Sequence, residues 1–446
     1  MIKAPVIQPI HFVVEAVSAW EVKLTSSQIA NLTLLLSSLI LLGTLNFTGI
    51  TIGWLCTFTV NRLHHFFKFS NLSMAAIMAA AIQWALSLMS ISHVSCRLVI
   101  DDTMKHHSKG CRTIPGVYWL FDHVIGAYTN AKCIVFAYVI FNECVRFPIG
   151  WRVYKKGSKK KWQTAVELID EAMASGIQIH IVLFDSWYCV SGMLQALIER
   201  NLKFISDLTP DHNVEFRNPD GKLLTISVGQ TFTYCKHMAE ANALGLVSEG
   251  NGKPDRTLYK TWCMNLFLPS FGCHLRCIKS VDQRTKGQKI LVTNSLSWEA
   301  SKILTEYSFR WMIEEFFRNA KGLYGLEKAY MRSEQAGALA LLLVSLVDLL
   351  LSVQLWKSVH VNSKEQLLTV SAIIAAAELE NLQNFITFLE RDETAFKEML
   401  GKWAEILERD KKRKRRIRKI LVPADMCLND ISMDTSAESM IRAQAA

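Results

Sequence analysis

Between Tyr307 and Lys328 the chain reads YSFRWMIEEFFRNAKGLYGLEK, and this stretch limits what the rest can be. It holds no Gly or Pro before Gly322, and its apolar residues recur at helical spacing, so it predicts a helix. Tyr307, Arg310, Glu314 and Lys321 follow one another at intervals of three, four and seven residues, which stacks side chains along one helix face. That face carries a phenol, a guanidinium, a carboxylate and an ammonium, while Met312, Ile313, Phe316 and Phe317 supply a buried side. Such a helix needs an apolar layer beneath it. Taken alone, its charged ridge also fits an ordinary surface helix whose charges pair with one another.

Upstream, CRLVIDD is an apolar, β-prone run ending in two acids, and TMKHHSKGCRTIPG after it reads as a loop. AKCIVFAYVIFN and CVRFPIGWRVYKKG read as extended runs joined by a hairpin turn at Asn142-Glu143. KKWQTAVELIDEAMASG reads as an amphipathic helix closed by Gly176. IQIHIVLFDSWYC is a buried strand running into Asp185, VSGMLQALIERN a helix and LKFISDL a strand. The order strand, strand, strand, helix, strand, helix, strand predicts a mixed sheet whose first and fourth strands each present an Asp. Carboxylates just past the ends of buried strands can form a metal site on rigid backbone. Alternation alone leaves Asp101 and Asp102 equal, because the turn is expected to begin there. From Thr209 to about Gln288 short strands punctuated by Gly, Pro, Asn and Asp follow, and KILVTNSLSWEASKIL then returns to a core strand and leads into the helix.

Tyr, two residues, Arg, three residues, Glu, six residues, Lys is similar to the signature of one large group of bacterial insertion-sequence transposases. RWMIEEF and FDSWY resemble the surroundings of that family's carboxylates. The resemblance implies an α/β ribonuclease-H-like core (a mixed sheet flanked by helices) with a β-rich insertion and helical N- and C-terminal regions. It implies an Asp–Asp–Glu site with Asp185 second and Glu314 third. The family's first Asp is commonly followed by Thr, which implies Asp102 rather than Asp101. Asp102, Asp185 and Glu314 would then be catalytic and hold Mg²⁺, for which Mn²⁺ can substitute, in a two-metal-ion phosphodiester displacement. Arg310 and Lys321 would grip phosphates, and Tyr307 would pack on or bond to the DNA backbone. Lys105 and Lys109, with His106 and His107, read as further phosphate contacts, since adjacent histidines lack the i, i+4 pairing of a zinc helix. The implied partners are double-stranded DNA, as transposon ends and target, and a second copy of the chain in a synaptic complex. The implied location is cytoplasmic and nucleoid-associated.

Composition adds two constraints. A net charge of +10 and a pI of about 9.0 favour a polyanionic partner. Half the residues are hydrophobic and mean hydropathy is +0.17, so membrane spans must be weighed. No charge occurs from Thr25 to Asn61, yet Asn31, Thr33, Ser37 and Ser38 interrupt the run and Gly43-Thr44-Leu45-Asn46 ends it. That falls short of the roughly 20 apolar residues a span requires. Met74 to Met89 is short and contains Gln83, and AGALALLLVSLVDLLLSVQLW carries Asp348. All three predict buried helices and no membrane. Between the first two, NRLHHFFK can present Arg62, His64, His65 and Lys68 to DNA or be a partly exposed amphipathic helix, and both readings stay open. The eleven cysteines are scattered; only Cys273 and Cys277 are close, so free thiols in a reducing cytosol are expected. The N-terminus lacks a signal-peptide pattern.

The expected division is a helical end-binding region over 1–93, a catalytic core over 94–208 and 289–356, a β-rich insertion over 209–288, and a helical region over 357–446. That last region carries the basic arm KKRKRRIRK, Lys411 to Lys419, and reads as disordered from Pro423. Two other classes compete. A transposase-derived DNA-binding protein without catalysis keeps the fold and the charge. A membrane protein accounts for the hydrophobicity but leaves the ordered carboxylates unexplained.

Overall fold

Thr25 opens the first long helix by closing a capping box: its Oγ1 accepts from the Gln28 N–H at 3.2 Å, and Gln28 Oε1 accepts from the Thr25 N–H at 2.9 Å. The computed structural model describes residues 4–391, 397 and 401, apart from 55–57, 92, 109–110, 112, 218–220, 235–238, 251–252, 330 and 361–368. Five helices come first: α1 (His11–Ala19), α2 (Ser26–Leu42), α3 (Phe47–Gly53), α4 (Val60–Phe69) and α5 (Met74–Leu88). The polar residues that interrupt the apolar run of α2 are bonded inside the fold, as buried polar groups must be. Ser37 Oγ accepts from the Ile10 N–H at 3.0 Å, Ser38 Oγ accepts from Trp54 Nε1 at 2.8 Å, and Asn31 Oδ1 accepts from Arg62 Nε at 2.9 Å. α2 ends at Gly43, whose φ of +60° suits glycine.

The sheet follows as β1 (Cys96–His106), β2 (Tyr118–Asp122), β3 (Ala127–Ile140) and β4 (Arg146–Val153). Next come α6 (Lys161–Ala174), β5 (Ile179–Phe184), α7 (Ser191–Glu199) and β6 (Phe204–Asp207). β7 (Asn213–Arg217) and β8 (Leu223–Ser227) pair only with each other and lead to α8 (Val228–Tyr234). β9 (Glu240–Gly250), β10 (Lys253–Leu268), β11 (Cys273–Asp282) and β12 (Gln288–Thr293) extend the main sheet. Its order is β2-β3-β1-β5-β6-β12-β11-β10-β9, with β4 also against β3. β1 runs parallel to β5 and antiparallel to β3, and β5 runs parallel to β6, so the sheet is mixed. Helices α9 (Ala300–Ser308), α10 (Trp311–Gly322), α11 (Glu334–His360) and α12 (Val370–Arg391) complete the described chain.

α11 is long and apolar enough to cross a membrane, and the bent pairs α2–α3 and α4–α5 pass the same test of length and composition when each is taken as one span. Inside the fold, 89% of the apolar window of α11 is buried, against β4 and helices α2, α4 and α5. The expected break in its apolar run, Asp348, accepts hydrogen bonds from Tyr138 Oη at 3.0 Å and Tyr324 Oη at 2.9 Å. The chain divides into two compact units, Met1–Asn384 and Phe385–Ala446. The N-terminal helices share one hydrophobic core with the sheet. The second unit contains the end of α12; the basic arm from Lys411 and the tail from Pro423 lie outside the described residues.

Three local expectations need correction. β1 does not end at its two acids but continues to His106, because Asp101 to His106 pair with β3 residues 131 to 136. No element is expected just past the loop read over 103–116, yet β2 lies there and pairs with the first half of β3. The helix expected from Tyr307 breaks at Phe309–Arg310, between α9 and α10.

Candidate active site

Side chains alternate along a strand, and β1 sorts its residues accordingly. On one face Arg97 Nε reaches Glu306 Oε2 of α9 at 2.6 Å, and Asp101 Oδ2 accepts from Arg310 at 3.0 Å. On the other face Asp102 is held by three donors: Lys161 Nζ of α6 at 3.0 Å, Tyr188 Oη at 2.9 Å and Cys133 Sγ at 3.0 Å. The residue chosen from the sequence, Asp102, therefore faces α6 and the turn after β5. Its neighbour Asp101 faces the helix that carries Glu314.

Arg310 sits at the α9–α10 break and its guanidinium joins two acids. One nitrogen donates to Asp101 and another to Glu314, one helical turn along α10. Burial works against the charge of Arg310, but Tyr307, Asp101 and Glu314 around it hold its pKa above the ordinary value. Asp185 follows β5 directly, and its carboxylate accepts from the Trp187 N–H at 3.0 Å. Burial, then the charge of Asp102, raise the Asp185 carboxyl, while Arg310 and backbone N–H groups oppose them. Burial, and after it the charge of Asp185, push Asp101 up to about 8. Asp101, Asp185 and Glu314 thus share one electrostatic neighbourhood centred on Arg310. Lys161 completes the Asp102 side: burial disfavours its charge, yet Asp102 carries its pKa above the usual lysine value.

The other residues singled out from the sequence fall in different places. Tyr307 is 8% exposed, its ring within 5.8 Å of both the Arg310 guanidinium and Lys289 Nζ, so it is a packed residue and not a surface one. Lys321 lies half-buried at the far end of α10 and joins none of the contacts around Arg310. Lys105 is buried and donates to the Leu326 carbonyl, so it is no open phosphate contact. Lys109 lies outside the described residues. His106 pairs with Asp122 at 2.7 Å. On α4, Arg62, His64, His65 and Lys68 are exposed while Leu63, Phe66 and Phe67 are buried, which fits both readings of that helix.

Sequence reading weighed Asp101 against Asp102 and preferred Asp102, and it did not single out Lys161, Tyr188 or Asp207. Asp207 ends β6 beside Asp185, and its carboxylate stands 3.9 Å from Lys289 Nζ. Once β1 is extended through both acids, period-two alternation is the signal that separates Asp101 from Asp102. Nothing in local sequence points to Lys161, which is brought in by the packing of α6 on the sheet.

The chemistry of this end of the sheet is that of acids from β1, β5 and α10 gathered around a cation.

Residues 51–222 match the family model of the DDE superfamily endonuclease. The matched residues take in both aspartate strands, β1 and β5, and stop before Glu314. No curated protein matches the sequence. Among solved structures, the piggyBac transposase synaptic complex with hairpin DNA aligns over 98% of this chain and 86% of that one, at 9% identity and a TM-score of 0.43. The Drosophila P element transposase strand transfer complex aligns over 84% and 82%, at 10% identity and a TM-score of 0.23. Both alignments are too loose to add to the site. Among the described residues no three His, Cys, Asp or Glu side chains stand close enough together to hold a metal ion. Arg310 fills the gap between Asp101 and Glu314.

Proposed function

We propose that this chain is a metal-dependent DNA transposase that cleaves DNA ends and joins them to target DNA. The observation that carries the reading is the one guanidinium shared by Asp101 and Glu314, with Asp185 beside it, inside a sheet whose aspartate strands match a DDE endonuclease. The strand order β4-β3-β1-β5-β6 supports a ribonuclease-H-like core. The donor set fits a hard divalent cation such as Mg²⁺, because carboxylate oxygens are its preferred ligands and acids that repel one another call for positive charge. Asp101, Asp185 and Glu314 would hold it, with Asp101 in the role first expected for Asp102. Held by these acids, the metal would supply activation of an attacking oxygen and stabilisation of a leaving one.

The chain's own residues prepare that state. The Trp187 N–H orients the Asp185 carboxylate. Lys161, Tyr188 and Cys133 hold Asp102 and so fix β1 from the opposite face. Arg310 occupies the acids until DNA arrives and then turns to a strand phosphate, the role read for it from the sequence. Lys321, about 10 Å beyond Glu314 along α10 at 1.5 Å per residue, meets a neighbouring phosphate. Double-stranded DNA, bracketed by the terminal repeats of an insertion sequence, is the substrate. A second copy of the chain serves in the synaptic complex, in a cytoplasmic, nucleoid-associated setting.

Two measurements test this. The full chain with Mg²⁺ should nick duplex DNA carrying its own ends, and EDTA should stop it. Mg²⁺ should also raise the melting temperature of the wild type and leave that of Asp101→Asn unchanged. A second reading, a DNA-binding protein without catalysis, draws on Arg310 filling the space between the acids. It expects no nicking and the same melting temperature with and without Mg²⁺.

A further inference from the structure

Next to the carboxylates, the β2–β3 hairpin carries rings on its surface where a soluble protein ordinarily keeps few. Trp119 and Tyr128 are cross-strand neighbours, 51% and 60% exposed, with rings stacked at 6.5 Å and 12°. Tyr128 meets Phe121 at 5.2 Å, Phe121 meets His123 at 4.9 Å, and His123 meets Trp187 at 5.6 Å. Trp187 is 56% exposed and stands two residues beyond Asp185, whose carboxylate its own N–H orients. Lys161 Nζ lies 5.2 Å from the Trp187 ring and 3.0 Å from Asp102, on the other face of β1, so the link from the rings to the site acids is Trp187 beside Asp185. The hairpin is braced, since Asp122 accepts from the Val124 N–H at 2.8 Å and pairs with His106.

We propose that this row of rings binds the unpaired bases of a DNA single strand leading into the carboxylate site. The rings succeed one another at 4.9 to 6.5 Å, and Trp119, Tyr128 and Trp187 each keep half or more of their surface open to a base. Stacking of this kind tolerates any sequence. The loop between β4 and α6, KKGSKKK, supplies the charge that a strand's phosphates require. Lys155 and Lys159 are paired with Glu334 and Glu167, while Lys156 and Lys160 are exposed. Aromatic faces beside lysines suit a polyanion with bases, whereas an apolar protein partner gains nothing from the lysines. The proposal deepens the transposase reading by naming what lies on the surface beside its site, and it rests on that reading for the direction of the strand.

The test is binding by the full chain without divalent metal, so that no cleavage intervenes. The probes are a fluorescent oligothymidylate and a duplex of equal length, followed by anisotropy. Trp119→Ala with Tyr128→Ala, and separately Trp187→Ala, should each weaken oligothymidylate binding by about tenfold or more, as loss of a stacked base does. Duplex affinity should stay within about twofold and the salt slope should not change, because no phosphate contact is removed. Trp119→Phe with Tyr128→Phe should bind as the wild type does. Unchanged oligothymidylate binding in the alanine pair overturns the proposal. So does an equal loss on both probes, or self-association of the wild type that the alanine pair abolishes. A chain that binds the single strand through these rings yet never nicks DNA refutes the transposase reading and leaves this one. Nicking with ring-independent single-strand binding does the reverse.

Discussion

Asp101 and Asp102 are adjacent, chemically identical and half-buried, and the fold gives them different work. Asp102 has a lysine, a phenol and a thiol as partners; Asp101 has Arg310 and the repulsion of Asp185. Asp101→Asn should therefore abolish nicking while changing stability by less than about 1 kcal/mol, because it relieves a crowded carboxylate. Asp102→Asn should cost about 1–3 kcal/mol by leaving the Lys161 ammonium half-paired, with nicking still detectable. Chemical denaturation beside a nicking assay reads both; the opposite pattern would restore the assignment made from the Asp-Thr resemblance. Lys105 and Lys132 are also instructive. They face each other across β1 and β3, both are buried, and they line one small cavity with Ile134, Met331 and Leu341. Burial lowers both pKa values, Lys105 to about 8. Like charges opposed in this way are destabilising, so Lys132→Met should raise stability by about 1 kcal/mol at neutral pH in a urea melt. From sequence, Lys105 sat in a presumed loop and read as a surface contact. The cross-strand partner that buries it lies 27 residues downstream, beyond the reach of any local pattern.

At the scale of elements, periodicity carried most of the fold. The strands and helices from β3 to β6 lie where alternation and apolar spacing put them, and Gly176 closes α6 with a φ of +84°. β1 beyond Asp102 has a polar sequence whose strand character comes from pairing with β3 and not from its own propensity, whereas β2, YWLFD, is β-prone but short and set between turns. The break at Phe309–Arg310 is likewise tertiary, since Arg310 is drawn toward Asp101 on β1. Asp348 offers a test on α11. Burial outweighs the two tyrosine hydrogen bonds and raises its carboxyl from 3.8 to about 6. The native state then holds more protons than the unfolded chain between about pH 4 and pH 6, so stability falls as pH rises through that window. At about 1.4 kcal/mol per pKa unit the fall is about 3 kcal/mol. Asp348→Asn should remove that fall, read as the difference between variant and wild-type melting temperatures from pH 4 to 6. Beside it, Leu346 is fully buried, and Leu346→Ala should cost about 2–5 kcal/mol.

For the whole molecule, the division into four regions was the least legible part. One hydrophobic core includes residues on both sides of 93, 209 and 288. The strands after β8 continue the main sheet through β12, and the N-terminal helices close over α11. The join between α2 and α10 is made backbone to backbone: a Cβ on Gly43 would lie 2.8 Å from the Leu323 carbonyl oxygen, and one on Gly325 2.7 Å from the Thr44 Cα. Both glycines also have positive φ, so Gly325→Ala should destabilise by more than about 1 kcal/mol, measured by thermal melting.

α11 has one more consequence, for the order in which the protein is made. Its mean hydropathy of 2.4 would suit a membrane anchor, yet β4 and helices α2, α4 and α5, which cover it, all precede it in the chain. A ribosome adding about 5–20 residues per second has synthesised every wall of that groove before it reaches Glu334. The segment most open to capture by the translocon is therefore born with its destination already assembled. A circular permutant that starts at Glu334 reverses the order, and its nascent helix meets the insertion machinery with nothing yet folded to receive it.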